Sequence, residues 1–290
     1  MIVVTGATGQ LGQLVIEGLL AKVAAGELPA GEIAAVVRDR AKAADLAARG
    51  VELRIADYGQ PETLAGAFRA GERVLFISGS EVGQRVPQHL AVIDAAMEAG
   101  VALLAYTGIR GGPAADFQLA AEHKVTEQAI LDSGLPHVFL RNGWYHENYT
   151  GRLATILEHG AVVSNAGEGR VASAARADYA AAAVAVLTGE GHEGAAYELS
   201  GDVAWSFAEY AAEVAAQSGK PVSYSALSAD AHQEILTGAG VPEPFAAILV
   251  DVDSAIERGS LAGTSGDLAR LIGRPTTPIA ESIAAALALR

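Results

Sequence analysis

Three glycines spaced three residues apart, Gly6, Gly9 and Gly12, are the first residues in the chain whose type and spacing could do chemistry. They follow an apolar run at 2–4 and lead into a helical pattern whose apolar residues recur at i, i+3 and i+4 from Leu11. Glycine is needed where a strand turns sharply into a helix, where the backbone approaches a phosphate, and where the helix packs on the sheet. The helix N-terminus then offers free N–H groups and a partial positive charge. The spacing predicts a turn that holds the pyrophosphate of a dinucleotide; the alternative is a turn that serves packing alone.

The residue type at the end of the second predicted strand indicates whether the dinucleotide is NAD or NADP. An acidic residue there would bind the ribose 2′-hydroxyl of NAD, but this strand ends in Arg38, whose charge and fork of donors suit a 2′-phosphate. Asp39 follows directly and is expected to point away if Arg38 points inward. The sequence therefore predicts NADPH as the cofactor, and the alternative is a solvated charged loop.

Two further strand ends supply candidates, because ligands of parallel α/β sheets bind at the carboxyl ends of the strands. Asp57 ends the third predicted strand and is a candidate for contact with the adenine. Ser78, Gly79 and Ser80 end the fourth, where they should lie along the pyrophosphate and the ribose.

Several catalytic motifs are missing from the sequence. No tyrosine is followed four residues later by a lysine, so the acid–base pair of ordinary short-chain dehydrogenases is absent. There is no G-x-S-x-G, H-E-x-x-H or P-loop lysine, and no metal site is expected. Hydride transfer to a ketone normally needs a proton relay. These absences favour an acceptor that tolerates weaker proton assistance, such as a quinone or a cationic dye.

Two cationic or titratable side chains are candidates near that acceptor. His123, on a predicted helix, could orient a nicotinamide or donate a proton to an acceptor oxygen. The alternative is an exposed histidine paired with Glu127, four residues along the same helix face. Arg85 could hold a phosphate or an acceptor oxygen, or it could simply be solvated.

A cluster of polar and aromatic residues follows the predicted strand at 137–143. It contains Asn142, Trp144, Tyr145 and His146. Aromatic faces here could sandwich a planar acceptor against a nicotinamide, and the alternative is that Trp144 and Tyr145 only seal two parts of the fold together.

The elements that must position these residues alternate along the chain. Strand patterns are separated by helical patterns, which predicts an α/β fold with a Rossmann-type, doubly wound parallel sheet. The predicted strands of this part are 2–4, 32–38, 51–58, 73–78, 101–108 and 137–143, and the predicted helices are 39–49, 61–68, 86–100 and 116–133. After about residue 145 the alternation of strands and helices becomes less regular, with a helix predicted at 175–189 and a strand at 195–201. We predict a cofactor-binding domain at 1–145, to which the segment around 175–201 could return, and a smaller, mostly helical domain at 146–290 that caps the site.

The composition is typical of a globular protein and excludes several other classes of protein. The chain has 290 residues, 51% of them apolar, which is enough for a sizeable core. Its formal net charge of -14 argues against non-specific binding of nucleic acid. It has no cysteine, which excludes disulfides and thiolate sites. No signal peptide or membrane-length apolar stretch is recognised, so we expect a cytoplasmic protein.

These motifs together carry a resemblance to a known family. The segments TGATGQLG, VVRDRAKA, ADYGQPETL, LFISGSEVGQR, AYTG, LRNGWYHENY and GKPVSY resemble the NmrA-like branch of atypical short-chain dehydrogenases. Within that branch the chain is similar to the flavin-free NADPH:quinone oxidoreductases of type 2, with triphenylmethane reductases as close relatives. The resemblance runs nearly from end to end. It implies a Rossmann domain, a smaller C-terminal domain, NADPH in the cleft between them and a quinone-type acceptor.

The resemblance also implies which residues act. It carries the family's cofactor contacts to Gly6, Thr8, Gly9, Gln10, Leu11, Arg38, Ser78 and Ser80. Neighbouring positions complete the predicted cofactor site with Ala7, Asp57, Gly79, Tyr106, Thr107 and Asn142. His123 and Tyr145 are the predicted catalytic residues, and Arg85, Trp144, Tyr145 and His146 are the predicted acceptor contacts.

One segment departs from the family pattern. The relatives' serine after Tyr-Thr is Gly108 here, and the glycine-rich loop at 109–117 that follows is expected to border the acceptor. Two other functions stay open: reduction of triphenylmethane or azo dyes, and a non-catalytic sensor that binds NADP(H) and acts through a partner protein. A homodimer is a further expectation.

Overall fold

Residues 1–289 are described by a computed structural model of the chain, and within them the main feature is a central sheet. The strands are β1 (Ile2–Thr5), β2 (Ile33–Val37), β3 (Glu52–Ile55), β4 (Arg73–Phe76), β5 (Leu103–Ile109), β6 (His137–Asn142), β7 (Ala161–Ser164), β8 (Arg170–Val171), β9 (Ala196–Leu199), β10 (Trp205–Ser206) and β11 (Ser223–Ala226). Seven of them form the central sheet in the order β3-β2-β1-β4-β5-β6-β9. Every residue of β1, β2 and β5 is buried, as expected for strands covered on both faces.

The helices cover this sheet or build the second part of the chain. They are α1 (Gln10–Ala24), α2 (Ala44–Ala48), α3 (Arg85–Ala99), α4 (Ala120–Ser133), α5 (Glu147–Thr150), α6 (Leu153–His159), α7 (Arg176–Thr188), α8 (Phe207–Ser218), α9 (Ala229–Gly238), α10 (Glu243–Glu257), α11 (Asp267–Ile272) and α12 (Ile279–Ala288). Neighbouring strands from β3 through β6 all pair in parallel. The predicted Rossmann-type sheet is therefore confirmed.

From β1 the chain adds β2 and β3 on one side of the sheet, and then returns to add β4, β5 and β6 on the other side. In open parallel sheets such a reversal leaves a crevice outside the carboxyl ends of the strands, and ligands bind there. The residues that directly follow β1, β2, β3 and β4 therefore border this crevice.

Two helices that the sequence predicted are shorter than expected. The segment 39–49 forms a 3-10 turn at Ala41–Ala43 followed by α2, and the segment 61–68 forms only a 3-10 turn at Pro61–Leu64. The second helix fails because Ala65 has an extended ψ of 115° and Gly66 has a φ of +81°, and neither continues a right-handed helix.

The chain forms two compact units, each built from separate segments. The first unit comprises residues 1–112, 122–142 and 177–198. Its core lies between the sheet and its helices and includes Val3, Val36, Phe76, Leu104 and Ile130. The second unit comprises 113–121, 143–176 and the chain from Leu199 onward.

The second unit has two small sheets and a ring cluster. Strands β10 and β8 pair antiparallel, whereas β11 and β7 pair in parallel. Tyr149 packs edge-on against Trp205, with ring centroids 4.7 Å apart, and Phe207 and Tyr210 extend the cluster. Helix α8 starts with a full capping box, in which Ser206 and Glu209 each bond the other's backbone N–H. In the described part of the chain, no helix is long and apolar enough to cross a membrane.

Candidate functional site

The first unit contains a pocket of about 790 Å³ at the carboxyl ends of β1 to β4. Its volume falls within the usual range of small-molecule and cofactor sites. The lining residues come from the turns after these four strands and from the start of the helices behind them. They are Gly6, Thr8, Gly9, Gln13, Val36, Arg38, Asp39, Lys42, Ala56, Asp57, Tyr58, Ile77, Ser78, Gly79, Ser80, Glu81 and Gln88.

The glycine turn forms one wall of this pocket, and its geometry explains the glycines. Gly6 has a φ of +58°, a left-handed conformation that suits glycine. A Cβ atom on Gly12 would lie 2.3 Å from the carbonyl oxygen of Gly6 and 2.7 Å from the Cα of Ala7. The first turn of α1 can therefore approach the preceding loop only because residue 12 has no side chain. Gln13 Nε2 donates to the Thr8 carbonyl at 2.9 Å and ties the helix to the loop.

Helix α1 begins directly after the glycine turn that forms this wall. The helix begins at Gln10, so the main-chain N–H groups of Gln10, Leu11 and Gly12 have no acceptor within the helix. Its first turn contains no acidic side chain. Ala7 and Leu11 are buried in the core, so any contact they make with a ligand is through the backbone. This end of the pocket is suited to an anion.

Charged side chains line the pocket beyond the end of β2. Arg38 lies here, 3.7 Å from the Glu81 carboxylate, and both side chains are exposed. Lys42 also lines the pocket and adds a second cation that the sequence analysis missed. The Asp39 carboxylate accepts the Ala41 N–H at 2.8 Å, which fixes the turn that precedes Lys42.

The side of the pocket after β3 is formed by Asp57 and Tyr58. The Asp57 carboxylate accepts the Gly59 N–H at 3.0 Å and lines the pocket. The Tyr58 hydroxyl donates to Thr5 Oγ1 and also lies 3.1 Å from the Ile77 carbonyl. Burial raises the pKa of Tyr58, so it stays a neutral hydrogen-bonding group.

Comparison with known proteins identifies the family. A profile of proteins described as NAD(P)H-binding matches residues 6–190, well over half of the chain. The chain belongs to this NAD(P)H-binding family. Quinone oxidoreductase 2 of Escherichia coli K12 is 48% identical over 283 residues, which span 98% of this chain and 97% of that protein.

Two solved structures support the same assignment. The NADPH-dependent quinone oxidoreductase of Escherichia coli, solved with NADPH, superposes with a TM-score of 0.94 at 48% identity and covers 99% of this chain and 100% of its own. The triphenylmethane reductase of Citrobacter sp., solved with NADP(H), gives 0.92 at 43% identity with the same coverage. The predicted place of the chain in the NmrA-like branch, near the type-2 quinone oxidoreductases, is confirmed.

Within this NAD(P)H-binding chain, several predicted contacts lie outside the pocket lining. Tyr106 is fully buried, and its hydroxyl is 2.7 Å from His123 Nδ1. His123 is itself buried, and desolvation together with Arg85 lowers its pKa to about 3, so it is neutral near pH 7. The alternative of an exposed histidine paired with Glu127 is wrong, because Glu127 binds Arg141 in a salt bridge of 2.7 Å.

Arg85 is neither solvated nor a lining residue of the pocket. Its side chain is buried, Nε donates to the Gly79 carbonyl at 2.6 Å, and its guanidinium lies 3.9 Å from the Glu122 carboxylate. The alternative that Arg85 is simply solvated is therefore wrong, and its predicted contact with the acceptor stays a prediction. Arg85 supports the loop that lines the pocket instead of facing the pocket itself. Thr107 acts in a similar way, since its Oγ1 accepts the Ser78 N–H at 2.9 Å.

Three of the four predicted acceptor contacts, Trp144, Tyr145 and His146, follow β6, and the predicted cofactor contact Asn142 lies at its end. Asn142 ends β6 in the first unit and is buried. Trp144 and Tyr145 belong to the second unit and are half-buried. The Arg176 guanidinium lies over the Tyr145 ring, 5.0 Å from its centroid. His146 is 1% exposed and both its ring nitrogens bond within the unit, to Ser282 Oγ and the Ser173 carbonyl. The buried His146 ring leaves little surface for an acceptor, and the predicted contact there stays a prediction.

The structure explains the glycines of the loop after β5, which the sequence did not. Arg141 forms salt bridges with Glu127 and Glu198, and the Glu198 carboxylate accepts the Gly111 N–H at 2.7 Å. A Cβ on Gly112 would lie 2.3 Å from the Arg141 guanidinium carbon, and one on Gly108 would lie 2.8 Å from Glu127 Oε1. The loop is glycine-rich because it closes over this ion network. Among the described residues, no group of three or more His, Asp or Glu side chains could hold a metal ion.

Proposed function

We propose that this protein is an NADPH-dependent oxidoreductase that reduces a quinone-type acceptor without a flavin. The observation that carries the proposal is the pocket, which is lined by the turn before the N-terminus of α1 and by two cations that follow β2. NADPH, when bound, supplies the hydride. Two similar proteins of known structure are named as an NADPH-dependent quinone oxidoreductase and a triphenylmethane reductase, which supports both the cofactor and the acceptor class.

The residues of the pocket fit this cofactor. The backbone N–H groups at the start of α1 and the glycine turn would hold the pyrophosphate, because Gly6 and Gly9, which line the pocket, place no side chain between the backbone and a phosphate. Arg38 and Lys42 would hold the 2′-phosphate. Asp57 and Tyr58 would lie by the adenine, with Ser78 and Ser80 along the ribose.

The acceptor contacts stay a prediction. Trp144 and Tyr145 would stack on a planar acceptor, and their partial exposure leaves ring surface for that role. Because His123 is a neutral side chain paired with Tyr106, the proton that completes reduction would come from water. Orientation of the two reactants then supplies most of the acceleration.

The experiment that tests the function is an assay of NADPH oxidation by purified protein without added flavin. The panel contains a benzoquinone, a naphthoquinone, a triphenylmethane dye and a blank without acceptor. Turnover with a quinone is the expected result. A faster reaction with the dye would favour the second candidate function, to which the likeness to the Citrobacter reductase points. Tight NADPH binding without turnover on any acceptor would favour the sensor interpretation.

Arg38→Ala is expected to weaken NADPH binding by about tenfold to a hundredfold and to leave NADH binding nearly unchanged, since a charge-assisted bond to the 2′-phosphate is lost. Lys42→Ala should act in the same direction with a smaller effect. The matched control is Arg40→Ala, because Arg40 is an exposed arginine that does not line the pocket. Calorimetric titration of each variant with both nucleotides measures the effect, and equal losses for NADPH and NADH would contradict the assignment of Arg38.

Two other expectations stay predictions about the whole molecule. A homodimer is checked by light scattering coupled to size-exclusion chromatography. A cytoplasmic location is checked by fractionation of the source cells.

A further inference from the structure

Three consecutive backbone amides after β4 are each bound by a side chain from a different element. The Ile77 N–H donates to Thr5 Oγ1 at 3.0 Å, and the Ser78 N–H donates to Thr107 Oγ1 at 2.9 Å. The Gly79 N–H donates to His89 Nε2 at 2.9 Å. These amides belong to residues that line the pocket, yet all three are satisfied by the protein and are not available to a phosphate.

His89 is the member of this set whose protonation state is fixed by its partners. Thr126 uses its own hydroxyl hydrogen on the Glu122 carbonyl at 2.8 Å, so it can only accept from His89 Nδ1, also at 2.8 Å. Nε2 must then be the bare nitrogen that accepts the Gly79 N–H. The ring is fully buried and packs edge-on against Phe76, with centroids 4.9 Å apart. Neutral His89 with its proton on Nδ1 therefore joins α4 to the pocket wall.

The other backbone group of Gly79 is also held. Arg85 Nε donates to the Gly79 carbonyl, and the Glu122 carboxylate holds the start of α3 by accepting the N–H groups of Gly83 and Arg85. A Cβ on Gly79 would lie 3.1 Å from Gln88 Oε1, so the residue is also confined by its neighbours. Both hydrogen-bonding groups of one glycine are thus bound by side chains of α3.

We propose that His89 is a positioning residue for dinucleotide binding, which sets the orientation of the Gly79 peptide through its Nε2 lone pair and thereby presents Ser78 and Ser80 to the ligand. The proposal rests on the proposed function, because the ligand is the dinucleotide of the same pocket. His89 does not line the pocket and acts through Gly79 alone.

A pair of variants separates this role from simple packing. His89→Gln places an amide oxygen near the position of Nε2 and can still accept the Gly79 N–H. His89→Asn reaches only the position of Nδ1, so it keeps the bond to Thr126 and leaves the Gly79 N–H without an acceptor. Both variants remove the ring from the core, so both should lower the melting temperature by a similar amount.

The two readouts are NADP⁺ binding by calorimetry and hydrogen exchange of the 76–80 backbone in the protein without nucleotide. We expect His89→Asn to raise the Kd for NADP⁺ about tenfold and to speed exchange at Gly79 by a similar factor, the effect of one lost hydrogen bond. His89→Gln should stay within about threefold of the parent in both measurements.

Equal behaviour of the two variants, whether both weakened or both unchanged, would overturn the positioning role. Failure of the parent protein to bind NADP⁺ would instead refute the proposed function. The exchange measurement needs no nucleotide, so it would still decide whether His89 holds Gly79.

Discussion

Gly12→Ala is expected to raise the Kd for NADPH by on the order of a hundredfold, with a melting temperature lower by several degrees. The added Cβ would lie 2.3 Å from the Gly6 carbonyl oxygen, 2.7 Å from the Ala7 Cα and 2.9 Å from the Gly6 carbonyl carbon. All three are backbone atoms, so no side chain can rotate away to relieve the clash. The turn and the first turn of α1 must separate, and the N–H groups that would hold the pyrophosphate move with them.

The matched control for that substitution is Gly238→Ala. Gly238 is the last residue of α9, has no left-handed φ, and a Cβ there would meet no atom within 4 Å. This variant should bind NADPH as the parent does. Titration of both variants with NADPH and thermal melts of both are the measurements. Unchanged NADPH affinity in Gly12→Ala would show that the glycine turn serves packing alone.

The parts of the site that were predicted from the sequence are those whose signal is local. Gly6, Gly9 and Gly12 follow a short apolar run directly, and the spacing alone placed them between β1 and α1. Arg38, Asp57 and the 78–80 segment were predicted because each follows a strand of a parallel sheet. All of these except Gly12 line one pocket, whereas Gly12 lies against the backbone of Gly6 and Ala7. The contacts of the lining residues with a ligand stay predictions.

The parts that were missed depend on contacts between distant segments. Lys42 reaches the pocket because the expected helix after β2 begins instead as a tight 3-10 turn, which no periodicity signalled. Thr107 and His89 have ordinary sequence surroundings, and their role appears only when β5 and α3 lie beside the end of β4. One signal was available: Thr5, like Thr107, is a polar residue in a buried strand, and such a residue needs a partner.

Mild acid is expected to destabilise the first unit by about 4 kcal/mol between pH 7 and pH 5. Its buried histidines, His89 and His123, each have a pKa lowered to about 3, by desolvation first and by the nearby Arg85 second. In the unfolded chain a histidine has a pKa of about 6.5. Below that value the unfolded chain binds more protons than the folded one, so stability present above pH 6.5 is lost as the pH falls. Each histidine contributes about 1.4 kcal/mol per pH unit, or about 2 kcal/mol by pH 5.

A further histidine and the carboxyl paired with it make nearly opposing contributions in this window. In the second unit, His232 and Asp253 lie 3.6 Å apart. Burial lowers the pKa of His232 to about 4 and raises that of Asp253 to about 6. As the pH falls, the histidine costs stability while the protonated carboxyl adds it, so the two nearly cancel. Carboxylates held by arginines, such as Glu52 and Glu72, have lowered pKa values and lose their contribution only below about pH 4.5.

Urea unfolding at half-unit steps from pH 8 to pH 5, monitored by a probe in the first unit, measures the slope. His89→Gln removes one of the two titrating rings, so its slope below pH 6.5 should be about half that of the parent. This comparison also separates the histidines from a general effect of acid on a chain with a net charge of -14, because that effect would be common to both proteins. A free energy of unfolding that stays flat down to pH 5 in the parent would mean that the folded protein accepts these protons, and that the Gly79 N–H bond to His89 is not held as described.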